Sequence, residues 1–417
     1  MSHLHKRPCD LAILSGRAAL SETLHVGGPN IGDRGRLRTR IEDVLDRRWL
    51  SNGGPYVREL ERRVADLAGV RHCLAMCNGT VALEIAIRAM GFGGEVIVPS
   101  FTFVATAHSL RWQGITPVFC DIDPRTHTID PARVESLITP RTTGILGVHV
   151  WGRPCDVESL EEIARRHRLG LLFDAAHAFA CSHRGRMVGS FGDAEVFSFH
   201  ATKFVNSFEG GAIVTNDSDL AARVELMRNF GFAGYDRVVS LGMNGKMNEV
   251  CAAMGVTSLE SLDGFVEINR RNYEQYRREL ADAPGLEVAV YDDADRSNYQ
   301  YVAVTVDGER LELSRDDFVR ILAAENVMAR RYFYPGCHRM EPYRSEDPDA
   351  YRRLPHTEIL TSRVMCLPTG TSVSSEAVST ICHVLRLAAA NHRELRCLLD
   401  DRGLASAGRG QDVRIAS

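Results

Sequence analysis

Three short stretches of the 417-residue chain carry groups that could do chemistry together. The first is CNGTVAL, where Gly79 and Thr80 open a helical pattern. The first N–H groups of a helix lack an intrahelical partner and sit at the positive end of its dipole, so a Gly-Thr start can hold a phosphate. It can equally be an ordinary helix start. The second is LLFDAAHA, in which Asp174 follows three apolar residues. A carboxylate in that setting is expected to be buried and paired, and a salt bridge to an arginine is the plain alternative to a functional role. His177, three residues on, reads equally as a satisfied core histidine. The third is FSFHATKFVNSFEGGAIVTN, where Lys203 has small and hydroxyl residues before it and no carboxylate after it until Glu209. That lysine is either a solvated cation or an amine held in a cleft.

Their order along the chain narrows the choice. A phosphate cradle, a buried aspartate, then a lysine 29 positions further on (203 − 174) is the set that pyridoxal phosphate requires. The phosphate docks at the helix N-terminus, the aspartate keeps the pyridine nitrogen protonated, and the lysine forms the Schiff base. For the three to meet, they must lie outside the carboxyl ends of the strands of one open α/β sheet.

The intervening sequence supplies such a sheet. VRELERRVADLAG is an amphipathic helix with a glycine stop, and helical and apolar segments alternate after it. HCLAMCN, EVIVPS, ITPVFCDID, TTGILGVHVWG, LGLLFDAAHA, AEVFSFH and GGAIVTN read as strands. This spacing predicts βαβ crossovers and a mostly parallel sheet covered on both faces. NEVCAAMGVTSLESLDGFVEINRRNYEQYRREL reads as one long helix passing from one domain to the next. Beyond it, YQYVAVTVDG (strand), RDDFVRILAAEN (helix) and SEAVSTICHVLRLAAANHRELRCLLD (a final helix) predict a smaller α+β unit. The expected division is an N-terminal segment over 1–50, a large domain over 51–260, a small C-terminal domain over 261–400 and a disordered tail over 401–417.

Bulk properties exclude several other classes. The formal net charge is −4 with Arg and Glu interleaved, which is no nucleic-acid footprint. The eleven cysteines are odd in number and scattered, as expected of free thiols used as small core residues. No run reaches the ~18 apolar residues of a membrane span, and the expected location is the cytosol. No Gly-x-Gly-x-x-Gly turn follows the first strand, which argues against a nicotinamide dehydrogenase.

The quoted stretches, together with PSFTFVATAHS, resemble the DegT/DnrJ/EryC1/StrS family of sugar aminotransferases, from about Trp49 to Pro368. WLSNGGP, GVHVWGRPCD, GVTSLESL, YFYPGCHRMEPYR and LPHTE are similar to the subgroup of 4-aminotransferases from desosamine and related antibiotic-sugar pathways. The resemblance implies a fold-type I pyridoxal-phosphate enzyme with a seven-stranded large domain. It implies that Lys203 is the Schiff-base lysine, Asp174 the partner of the ring nitrogen and His177 a neighbour of the phenolic oxygen. Phe103 would stack on the ring, and Gly79, Thr80 and Ser198 would hold the phosphate. Asn244 would reach the phosphate from the other subunit of a homodimer, with Lys246 standing close by where most of the family has arginine. The implied reaction moves an amino group from L-glutamate, leaving 2-oxoglutarate, to C4 of dTDP-4-keto-6-deoxyglucose. Arg330, Arg331, Tyr332, Tyr334 and His338 are then expected to meet the nucleotide sugar. A sister group of ketosugar dehydratases has histidine in place of the lysine, so Lys203 favours transamination. Amination at C3 and a cofactor-loaded regulatory protein are the alternatives.

Overall fold

Short apolar runs bounded by capped helices form the centre of the structure, a computed structural model that describes residues 5–404. Seven strands, β1 (His72–Met76), β2 (Glu95–Pro99), β3 (Thr116–Cys120), β4 (Thr142–Val148), β5 (Gly170–Asp174), β6 (Ala194–Ser198) and β7 (Gly211–Thr215), form one sheet in the order β1-β7-β6-β5-β4-β2-β3. Both pairings of β7 are antiparallel and the other four are parallel, so one strand runs against six. The carboxyl ends of β1, β2, β5 and β6 therefore share an edge with the start of β7. Central strands such as Val96-Ile97-Val98 and Leu171-Leu172-Phe173 are buried along their whole length, as helices on both faces require.

Helix α1 (Arg34–Arg47) precedes the sheet, and α2 (Pro55–Ala68) buries Val57, Leu60, Val64 and Ala68 on one stripe before Gly69 ends it at φ 67°. Helix α3 (Gly79–Ala89) starts directly after β1, with the Asn78 side chain accepting from Val81 N. Helices α4 (Val104–Arg111), α5 (Val157–His167) and α6 (Ser218–Met227) complete the cover.

The expected long helix is two helices, α7 (Glu249–Glu260) and α8 (Leu262–Leu280), separated at Ser261. The reason is a change of environment. From Ala252 to Ser258 every residue of α7 is buried, whereas α8 buries only a stripe that includes Phe265, Tyr273, Tyr276 and Leu280. Gly32 packs against the break so closely that a Cβ there would lie 2.6 Å from Ser261 Oγ. The final helix likewise divides into Ser375–Ala390 and His392–Asp401, which lets Leu395 and Leu399 reach the core.

The C-terminal unit carries a three-stranded antiparallel sheet of β8 (Leu286–Val288), β9 (Val302–Val306) and β10 (Val364–Leu367). Its core includes Leu11 and Leu14 from the N-terminal segment, so that segment packs on the far end of the chain. Buried Glu325 holds it there, accepting from Ala12 N and Ala19 N at 2.7 Å each and pairing with His5 at 2.9 Å. Of the expected disordered tail, residues 405–417 lie outside the described residues. Among the described residues no helix is long and apolar enough to cross a membrane.

One contact ties this unit to the large sheet where it matters for the site. Asn298, fully buried, donates from Nδ2 to His177 O (2.9 Å) and Phe179 O (3.0 Å), and its own carbonyl accepts from Asn269 Nδ2 (3.0 Å). Asn298→Ala strands two buried carbonyls in the loop after β5. Its urea midpoint should fall by the equivalent of about 2 kcal/mol with an unchanged m-value. A stability within experimental error of the parent would show that the clamp is dispensable.

Candidate active site

At the carboxyl edge of the sheet the three sequence stretches converge. Asp174 ends β5 and is buried. Among the described residues no arginine meets it: Oδ2 accepts from Thr106 Oγ1 (2.8 Å) and Oδ1 from Ala176 N (3.1 Å). Thr106, on the first turn of α4, is itself bonded to Thr102 Oγ1 (2.8 Å). Burial pushes the Asp174 carboxyl up from its ordinary range, and the Thr106 and Ala176 bonds and nearby Lys203 only partly offset it.

Lys203 lies in the loop between β6 and β7 and is half-buried. Bonds from Phe199 N to Gly210 O and from Ser207 N to Phe199 O, both 2.8 Å, close that loop. Glu209, the carboxylate next in sequence, pairs with His200 (3.4 Å) and leaves the lysine alone. Desolvation lowers the Lys203 amine from 10.5 to about 8, against the attraction of Asp174. Among the described residues its one side-chain hydrogen-bond partner is Tyr301 Oη, at 3.4 Å.

His177 is buried and its pKa is pushed well down by desolvation and by Lys203, so the ring is neutral. Nδ1 accepts from Trp151 N (3.3 Å), which leaves the proton on Nε2 as a donor. The ring stacks on Phe333 (centroids 5.5 Å, 10° between planes) and meets Tyr301 at 4.4 Å.

The start of α3 stands beside Ser198. A Cβ on Gly79 would lie 3.1 Å from Ser198 Cβ. With Asn78 capping Val81 N, the N–H groups of Gly79 and Thr80 point out of the helix end with no intrahelical acceptor. Phe103 caps α4 with its side chain 56% exposed, an unusual state for a phenylalanine at a crowded sheet edge. Asn244 is exposed and one residue from Gly245, whose carbonyl accepts from Cys77 N (2.8 Å) beside the same helix start. Lys246 is engaged with Asn229 Oδ1 (2.7 Å) and the Phe230 ring.

The loop of Arg330 to His338 overlies this edge, but its members differ in availability. Tyr332 stacks on Phe333 and lies under Arg330. Tyr334 is held between the guanidiniums of Arg331 (4.6 Å) and Arg315 (5.1 Å), with Arg331 also paired to Asp316 at 3.3 Å. His338, also expected to meet the nucleotide sugar, is buried in this structure. Its side chain is 1% exposed, and its ring nitrogens are taken by Ser100 Oγ and Glu358 Oε1, both at 2.7 Å. His338 fastens the loop to the end of β2 and has no donor to spare.

Thr106, Tyr301, Phe333 and the Trp151 N–H belong to the site but carry no local sequence signal; Tyr301 is 98 residues from the amine it meets. A groove of about 590 Å³ lined by residues including Glu61, Arg71, His72 and Ser218 lies at the opposite, amino edge of the sheet and contains none of these groups.

Residues 33–386 match the DegT/DnrJ/EryC1/StrS aminotransferase family. The dTDP-4-amino-4,6-dideoxy-D-glucose transaminase of Shigella dysenteriae is 36% identical over 88% of this chain and 99% of its own. The GDP-perosamine synthase of Caulobacter vibrioides is 40% identical over 74% of this chain and 84% of its own. A crystal structure of DesI with its TDP-sugar product is 51% identical, covers 93% of this chain and 98% of that one, and superposes with a TM-score of 0.88. The chain belongs to the DegT/DnrJ/EryC1/StrS aminotransferase family and is a pyridoxal-phosphate-dependent sugar aminotransferase.

Proposed function

We propose that the enzyme moves the amino group of L-glutamate to C4 of dTDP-4-keto-6-deoxy-D-glucose, giving dTDP-4-amino-4,6-dideoxy-D-glucose and 2-oxoglutarate. The observation that carries this reading is a lysine amine with a pKa lowered to about 8 beside a buried, arginine-free aspartate. The 51% identity to DesI and the names of the curated relatives support the choice of sugar and carbon.

The residues present fit the cofactor. Two open N–H groups and the Ser198 hydroxyl suit a phosphate. The strand opposite leaves room only because position 211 is glycine: a Cβ there would lie 2.7 Å from the Asn78 carbonyl carbon and 2.8 Å from Gly79 N. Gly79, Thr80 and Ser198 would hold the phosphate, Phe103 would cover the ring, and His177 Nε2–H would donate to the phenolic oxygen. When bound, pyridoxal phosphate supplies a carbonyl that condenses with amines and a pyridinium that takes up the electron pair of a departing proton. Asp174, left without an arginine, is the carboxylate available to face that pyridinium nitrogen.

Lys203 Nζ moves the protons. It takes the α-proton of glutamate and, in the return half of the reaction, delivers a proton to C4 of the sugar. With a pKa near 8, about a tenth of the amine is uncharged at pH 7, against roughly one part in three thousand at an ordinary 10.5. Arg330, Arg331, Tyr332 and Tyr334 are the groups of the overlying loop proposed to meet the nucleotide sugar. Asn244 is proposed to serve the phosphate of the partner subunit in a homodimer. An exposed apolar strip with Phe230, Phe232, Val239 and Leu241, beside a groove of about 340 Å³ that Trp112 lines, supports that assembly.

The sign of the Lys203 shift gives a test on the cofactor-free protein. Its folded pKa lies below its unfolded one, so the charged amine costs stability in full below pH 8. Between pH 8 and 10.5 the folded amine is neutral while the unfolded one still holds its proton, and the cost fades as pH approaches 10.5. Lys203→Met should be the more stable protein at pH 7, by up to about 3 kcal/mol, with the gap narrowing in urea titrations from pH 8 to 10.5. A gap independent of pH would contradict the buried-amine reading. The function itself is tested by incubation with glutamate and dTDP-4-keto-6-deoxyglucose, with the aminosugar identified by NMR. A 4-amino product is expected. No product there, with a 3-amino product from the 3-keto isomer, would overturn the assignment.

A further inference from the structure

Resting on the reading of Lys203 as the reacting amine, we propose that Tyr301 is its positioning residue, fixing where the amine stands while it is free to carry a proton. Tyr301 Oη lies 3.4 Å from Lys203 Nζ, long for a hydrogen bond but the one polar contact of either group's terminal atom among the described residues. The phenol is 4% exposed with the lysine in place.

The phenol is held with unusual thoroughness for a group outside the large sheet. Its ring lies on His177, its carbonyl is 2.7 Å from Tyr291 Oη, and its neighbours in sequence grip the same loop. Gln300 Nε2 donates to Thr202 O (3.1 Å), the peptide directly before Lys203, and Asn298 holds His177 O. One short segment of the C-terminal unit thus fixes the lysine's backbone, the neighbouring histidine and the amine itself.

The chemistry of a neutral hydroxyl suits the task. The groups around the amine and the phenol are Asp174 on β5, His177 after it, Tyr332 on the overlying loop, Tyr291, and Cys366 on β10. Asp174 attracts only the ammonium form, and His177 has its Nδ1 committed to Trp151. Burial pushes Tyr301 well above its ordinary value, so it is no base. A hydroxyl donates to the lone pair of an uncharged amine and accepts from an ammonium. Tyr301 can therefore keep hold of Lys203 as the proton comes and goes.

Tyr301→Phe keeps the ring on His177 and removes only the oxygen. The expected result is a kcat reduced about 10- to 100-fold, with KM for glutamate, cofactor stoichiometry and melting temperature unchanged. A second readout needs no turnover. The chain has three lysines, Lys6, Lys203 and Lys246, so reductive 13C-methylation of the full-length cofactor-free protein gives few resonances, and Lys203→Arg assigns the one in question. Bonds to charged groups are the stronger ones, so loss of the hydroxyl should lower the Lys203 titration midpoint by roughly half a pH unit. An unchanged kcat with an unmoved or raised midpoint would overturn the proposal. So would a kcat loss matched by loss of cofactor and of melting temperature, which is what a packing role predicts. Full turnover in Lys203→Arg would instead remove the parent reading, whatever Tyr301→Phe does.

Discussion

Taking a lysine amine out of water penalises its charged form far more than its neutral form, and the site is arranged around that asymmetry. The attraction of Asp174 for the ammonium is too weak to restore an ordinary pKa. The result is an amine that gains and loses a proton near neutrality. The closed loop between β6 and β7 and the Gln300 and Tyr301 contacts position Lys203.

The aspartate is the second half of the same constraint. A buried carboxylate beside arginine would be satisfied permanently and would have nothing left for a ligand. Thr106 and Ala176 give Asp174 two bonds, which orient it without neutralising it. Its carboxyl is held above the usual range and is stabilised by any cationic partner that enters the cleft. The apolar sheet beneath and the Phe333–His177 stack beside it make that partnership strong by excluding solvent.

The parallel sheet was legible because each strand is a compact apolar run and each crossover carries its own stop, as Gly69 shows. The reversed β7 lies close after β6, which the short spacing of AEVFSFH and GGAIVTN already suggested. The break at Ser261 was not legible, since both halves are good helix and only the change from all-round burial to a single stripe separates them. At the site, Lys203, Asp174 and the Gly79-Thr80 start were legible because each has a local setting that is odd for its residue type. Tyr301, Asn298 and Thr106 look ordinary in sequence and acquire roles only through partners 68 to 121 residues away. The setting of His338 was hidden for the same reason: Ser100, which meets one of its nitrogens, is 238 residues distant.

The central claim is that one particular amine takes up the cofactor. Borohydride reduction of the protein loaded with pyridoxal phosphate, followed by peptide mapping, tests it most directly, because Lys6 and Lys246 are the only other side-chain amines. The account predicts one pyridoxyl group per chain on the peptide containing Lys203. A label on Lys6 or Lys246, or a cofactor-loaded protein that takes none, would contradict it.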